Sequence, residues 1–161
     1  GPLLANGLDM STSGILLIAK SEKAHKKLQA LFIQRKVKKR YVALLNGVLK
    51  KESGRINLPL RVDLDNRPHQ LVCYEYGKPA ETEWKRIEVK QQQTRVHFFP
   101  ISGRTHQLRV HAAHQLGLNL PIVGDDLYGN RAERLYLHAE EIEFIDPFTK
   151  KNVRIYSPAE F

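Results

Sequence analysis

The stretch that decides the fold is Ala80-Glu81-Thr82-Glu83-Trp84-Lys85-Arg86-Ile87-Glu88-Val89, then Gln91-Gln92-Gln93, then Thr94-Arg95-Val96-His97-Phe98-Phe99. Two runs rich in Thr, Val, Ile and aromatic residues flank a short polar separator, which reads as two strands and a turn. Working outward, strand-like segments fall near 55–58 and 70–76. Asp65-Asn66-Arg67-Pro68 and Gly77-Lys78-Pro79 separate them with turn chemistry. Arg40-Tyr41-Val42-Ala43-Leu44-Leu45 reads as a strand that stops at Asn46-Gly47. Ile15 to Lys20 reads as a buried strand after the turn Ser11-Thr12-Ser13-Gly14. Ser21 is a candidate helix cap with Glu22 in the first turn. Ala24, Leu28, Leu31 and Phe32 then recur at helical spacing, which predicts a helix to about Arg35. Downstream, Gly103-Arg104-Thr105 opens a second helix through about Gln115, with Leu108, Ala112 and Leu116 as its buried stripe. Gly117-Leu118-Asn119-Leu120-Pro121 ends it. Ile122-Val123 is short and strand-like, Gly124-Asp125-Asp126 is a turn, and Arg134 to Phe144 and Val153 to Tyr156 are strands. Many strands with two helices at separate places predict an α+β fold built on a mixed, mostly antiparallel sheet.

The 161 residues suit a single domain over 1–161, and 42% hydrophobic content is enough for a core at that length. The longest apolar stretch, Gly14 to Ala19, is strand-sized and far short of a membrane helix. Gly1-Pro2-Leu3-Leu4 is too short for a secretory signal and has no basic lead. One cysteine, Cys73, rules out a disulfide framework and a cysteine-based zinc site, so a reducing, cytoplasmic compartment is expected. The net charge is +9, and nine Lys/Arg against the single acid Glu22 lie between Lys20 and Arg40. Such a concentrated basic stripe fits a polyanion, RNA or DNA before membrane, although a solvated helix face has the same composition.

Three segments join a reactive group to a strand or helix end. In Leu8-Asp9-Met10-Ser11-Thr12-Ser13-Gly14 an acid precedes small hydroxyl residues that hold it rigidly; a plain turn aspartate has the same spacing. In Lys38-Lys39-Arg40-Tyr41-Val42-Ala43 a tyrosine behind a basic cluster is placed to stack on a nucleobase, as well as to be an ordinary half-buried strand residue. Gly103-Arg104-Thr105-His106-Gln107-Leu108-Arg109-Val110-His111 gathers arginines, histidines and an amide where a helix begins, which suits phosphates and base edges. Arg104 and Arg109 are five residues apart and point differently, so one is free to meet phosphate while the other pairs with a carboxylate. His106, His111 and His114 lack the i, i+4 spacing of a helical zinc site, and no phosphate-cradling glycine loop, nucleotide fingerprint or serine elbow occurs. Neither metal nor cofactor is expected.

In this order the three segments resemble the RluA-type pseudouridine synthases, whose motifs are Leu-Asp-x-x-Thr-Ser-Gly, Lys-x-Tyr-x-Ala and Gly-Arg-x-His-Gln-Leu-Arg. Asn66-Arg67-Pro68, Gly77 to Thr82, Pro121 to Asp125 and Leu137-His138-Ala139 extend the resemblance from Leu8 to Phe161. It implies that uracil is detached from C1′ of its ribose, turned, and rejoined through C5. It also implies that Asp9 is the catalytic carboxylate, either attacking C1′ or removing the 2′ hydrogen. Arg109 matches the arginine that pairs with this Asp, and Tyr41 the tyrosine that stacks on the uracil and helps remove the C5 proton. Lys38, Lys39, Arg40, Arg104, His106 and Gln107 are the expected RNA-binding residues. The implied partner is a ribosomal or transfer RNA stem-loop, with no membrane and an oligomeric state that sequence leaves open.

Two departures bear on this. Asn6-Gly7 stands where the family has His-Arg, whose arginine helps open the RNA around the flipped base. The upstream strand region with its Lys-Pro is expected to be missing, as in a catalytic core cut from a longer protein. Two rivals follow: an impaired or non-catalytic RNA-binding domain on the same scaffold, and a basic DNA-binding or ribosome-associated protein of another fold.

Overall fold

The structure, a computed structural model, describes residues 3–4 and 8–161. The strands are β1 (Leu3–Leu4), β2 (Ser13–Gly14), β3 (Ile18–Ala19), β4 (Lys38–Leu45), β5 (Ser53–Asn57), β6 (Leu60–Val62), β7 (Gln70–Val72), β8 (Glu81–Lys90), β9 (Gln93–Pro100), β10 (Leu137–Ile145) and β11 (Asn152–Tyr156). The helices are α1 (Glu22–Ile33) and α2 (Gln107–Ala113). The two expected strands are β8 and β9, and the structure pairs them antiparallel. Gln91 and Gln92 both take positive φ (52° and 61°), which suits a tight two-residue turn to the twist of the strands it joins.

The main sheet runs β11-β10-β4-β9-β8-β5, all antiparallel, and β2 adds a parallel pairing on β10. β1 pairs with β3, and β6 with β7, as separate two-stranded units. The fold is therefore α+β on a mixed, mostly antiparallel sheet. Side chains alternate across a strand. Along β4, Tyr41, Ala43 and Leu45 share one face with Val96 and Phe98 of β9, where Leu108 and Ala112 of α2 pack. Lys39 lies opposite Ile142 on that same face, and Ile142 with Phe144 receives Leu28 of α1. Both helices thus cover one side of the sheet, and a gap is left between the end of α1 and the start of α2. On the other side, Arg40 pairs with Glu140 at 2.6 Å and Glu141 at 3.1 Å.

Ser21 caps α1 as expected, its Oγ accepting from the Ala24 amide at 3.1 Å. The helix stops at Ile33 instead of Arg35, because Arg35 adopts the left-handed φ of 56° that closes a helix end. The expected buried strand from Ile15 to Lys20 is one-sided. Only Ile18–Ala19 is strand, and Leu16 and Ile18 are 44% and 48% exposed while Ile15, Leu17 and Ala19 pack inward. Residues 73–76 form a turn closed by the Gly77 amide on Cys73 O, so β7 is shorter than the 70–76 expectation. α2 is shorter too. It starts after left-handed His106 and ends where His114 extends, which leaves Leu116 59% exposed instead of in the buried stripe.

Gly14 has φ +116°, and a Cβ there lies 2.3 Å from Ala139 O across the β2–β10 pairing. Gly14→Ala is expected to cost about 1–3 kcal/mol of backbone strain. At this chain size that lowers Tm by about 2–12 °C in a thermal melt. An unchanged Tm removes Gly14 as the latch of the Asp9 turn.

Candidate active site

The gap between the helices is a cleft of about 700 Å³, within the range of about 300–1,000 Å³ usual for ligand sites. Leu8, Asp9 and Thr12 line it from the first segment, Lys39 and Tyr41 from β4, and Gly103 to Arg109 from the third. The cleft therefore brings the three sequence segments together.

Asp9 is held by its own turn. Its Oδ1 accepts from the Ser11 amide (3.1 Å), the Thr12 amide (3.0 Å) and the Thr12 hydroxyl (2.9 Å). That turn is anchored on β10. His138 Nε2 lies 2.7 Å from Ser157 O and so carries the proton, which leaves Nδ1 to accept from Ser13 Oγ at 2.9 Å. Arg134 Nη2 donates to the same Ser13 oxygen at 2.8 Å.

Asp9 Oδ2 faces Arg109 Nη1 at 3.4 Å. Arg109 is only 3% exposed. Its Nε and Nη2 fork onto Asp125 at 3.1 and 2.6 Å, and Nη2 also reaches Asp126 at 3.3 Å. Burial opposes the guanidinium charge, but the bond and charge of Asp125 and then Asp9 outweigh it and raise its pKa. Three carboxylates therefore converge on one cation. Asp125 and Tyr128 carried no role in the sequence reading. The signal for Asp125 is a buried arginine, which needs an acid partner from somewhere in the chain, and no residue pattern singles out Tyr128.

Tyr41 lines the cleft wall beside Asp9. Burial first, and then the Asp9 charge, push its phenol up to about 12, so it is neutral at ordinary pH. His106 sits at φ 55° with Nδ1 2.7 Å from the Tyr128 hydroxyl. That hydroxyl accepts the Gln70 amide at 2.9 Å. Burial, then the charge of Arg109, lower the His106 pKa.

The remaining candidates divide. Lys39 lines the cleft, and burial lowers its pKa. Arg104 lines it too, with Nε donating to Pro79 O at 2.8 Å. Gln107 lines the floor, yet its amide is fully engaged. It accepts from Ser102 Oγ and the Arg104 amide and donates to Glu81 O and Thr82 Oγ1. Lys38 and Arg40 point away from the cleft, and Arg40 is committed to Glu140 and Glu141. Asn6-Gly7 lies outside the described residues. Among the described residues no group of His, Cys, Asp and Glu is arranged to hold a metal, and no helix is long and apolar enough to cross a membrane.

Known proteins are similar to this chain in sequence and in fold. The model of the RNA pseudouridylate synthase family matches residues 2–114. The dual-specificity RNA pseudouridine synthase RluA of Haemophilus ducreyi is 47% identical over 154 residues, covering 90% of this chain and 68% of its own length. Its counterpart in Escherichia coli K12 is 42% identical over 160 residues, covering 96% and 72%. The solved structure of human RNA pseudouridylate synthase domain containing 1 superposes with a TM-score of 0.83 at 30% identity, over 100% of this chain and 70% of that one. The chain belongs to the RNA pseudouridylate synthase family, and within it to the RluA type. Its activity is that of an isomerase that converts uridine in RNA to pseudouridine.

Proposed function

We propose that residues 1–161 form one catalytic unit in which Asp9 is the carboxylate that works at C1′ or at the 2′ hydrogen of the target ribose. The observation that carries this is the meeting of Asp9 Oδ2 with Arg109 Nη1 at 3.4 Å, 100 residues apart in sequence, on the wall of the cleft that Tyr41 lines. The reaction breaks N1–C1′, forms C5–C1′, releases the C5 proton and protonates N1, so no other reactant is consumed. Asp9 is suited to it because one carboxylate oxygen is tied down by its turn and the other faces a fixed cation. Tyr41 stacks on the freed uracil. A phenol held near 12 is not a resident base, so its share in moving the C5 proton requires it to release its own proton as it takes another.

The substrates are stem-loops of ribosomal RNA, transfer RNA or both, in a reducing cytoplasm. The basic residues lining the cleft support an RNA substrate, the dual specificity in the relatives' names supports more than one RNA, and the single cysteine supports the reducing compartment. The target base leaves its stack to reach Asp9, at a cost of a few kcal/mol, which phosphate contacts from Lys39 and Arg104 offset. Replacing Lys38 and Lys39 together with Ala is expected to lower the log–log salt slope of RNA binding by about 1 to 2. The larger share comes from Lys39, which lines the cleft. An unchanged slope removes this cluster from the RNA surface.

The substrate is tested by incubating the protein separately with unmodified large-subunit ribosomal RNA and transfer RNA, then mapping pseudouridine by carbodiimide derivatisation and reverse-transcription stops. Site-specific stops in either RNA support the reading. None in either, from folded protein that binds RNA, leaves the non-catalytic RNA-binding domain.

A further inference from the structure

Asp125 is fully buried at 0% exposure, so its carboxylate does not meet substrate, and its bonds are to the protein. Oδ1 accepts from Arg109 Nη2 and from the amides of Leu127 (3.1 Å) and Tyr128 (3.2 Å), and Oδ2 accepts from Arg109 Nε. It is presented by Gly124, whose φ is +82° and whose Cβ position lies 1.7 Å from Arg134 O, so no other residue fits that approach. A planar guanidinium that gives its Nε–Nη2 edge to one carboxylate is left with Nη1 for another. That is the nitrogen facing Asp9. The same Asp125 turn places Tyr128, whose ring lies 5.5 Å under the Arg109 guanidinium and whose hydroxyl meets His106.

We infer that Asp125 is the positioning residue of the active site: it fixes which edge of Arg109 faces Asp9 and, through the Tyr128 turn, where His106 stands on the cleft wall. This rests on the reading of Asp9 and Arg109 given above. With Asp125 absent, Arg109 is free to turn its two-pronged edge onto Asp9, which ties up the oxygen that must reach the ribose. Asp125 acts on the reaction only through Arg109 and His106.

The test is Asp125→Asn. This substitution keeps an oxygen for the Leu127 and Tyr128 amides but offers Arg109 Nε a donor in place of an acceptor. Turnover at saturating RNA is expected to fall about 10- to 100-fold, the scale of a misplaced catalytic group. RNA affinity stays within about threefold. In an Arg109→Lys background, which cannot form the fork, adding Asp125→Asn costs less than about twofold more. Wild-type turnover in Asp125→Asn overturns the inference, and so does an equal loss in both backgrounds, which marks a merely structural residue. If Asp125→Asn does not fold, the wild-type protein decides by NMR. A slowly exchanging, carboxylate-bonded Arg109 Nε–H supports the fork, and solvent-fast exchange overturns it. An active Asp9→Asn removes the underlying reading of the site. An inactive Asp9→Asn beside a fully active Asp125→Asn removes this inference alone.

Discussion

Asp9→Asn is expected to lower turnover by on the order of 10⁴-fold or more, the scale seen when the group that performs the chemistry is removed, while RNA affinity stays within a few fold. The separation follows from how the two oxygens of Asp9 are used. Oδ1 is occupied by the Ser11 and Thr12 amides and the Thr12 hydroxyl, and an asparagine oxygen accepts those same bonds. The turn therefore survives, latched by Gly14 and Ser13 on β10. Only the oxygen and the charge facing Arg109 are lost. Steady-state turnover and filter binding, measured on the same preparation, check both halves. Turnover within tenfold of wild type places the chemistry elsewhere in the cleft.

Arg109→Ala is expected to give the largest loss of stability of any single change in the site. Asp125 is completely buried, and its Oδ2 has Arg109 Nε as its partner. Deleting one member of a buried ion pair leaves an uncompensated charge and costs about 3–5 kcal/mol. For a chain of this size that lowers Tm by about 6–20 °C. The cation packed on the Tyr128 ring is lost as well. Activity disappears with it, because Asp9 loses the cation that faces it. A thermal melt within 3 °C of wild type contradicts the view of Arg109 as the electrostatic hub of the fold.

Much of this arrangement was legible in the sequence, and the parts that were not share a physical cause. The strands β8, β9 and β4 and the capped start of α1 are local patterns of residue type and period, and they stand where the sequence puts them to within a residue or two. The split between Lys39 and Arg40 was also within reach. Strand side chains alternate, so Lys39 shares the cleft face with Tyr41 while Arg40 joins Glu140 behind the sheet. Grouping them as one basic cluster followed charge and ignored period. Gln107 shows the same limit. Its residue type suits a base edge, but its four bonds to Ser102, Arg104, Glu81 and Thr82 exist only once β8 and α2 are packed. The early end of α2, the strand β6 and the part played by Asp125 likewise depend on tertiary neighbours. Helix propensity cannot foresee the left-handed φ of His106 that delays the start of α2.

The most direct measurement is tritium release from RNA labelled at uracil C5, with wild-type protein and Asp9→Asn run side by side on mixed ribosomal and transfer RNA. Formation of the C5–C1′ bond must expel the C5 hydrogen, so each isomerised uridine delivers one label to solvent. The expected result is release by the wild type and none by Asp9→Asn at equal RNA occupancy. Release that persists in Asp9→Asn, or no release from a folded, RNA-bound wild type, would contradict the assignment of Asp9 as the residue that performs the isomerisation.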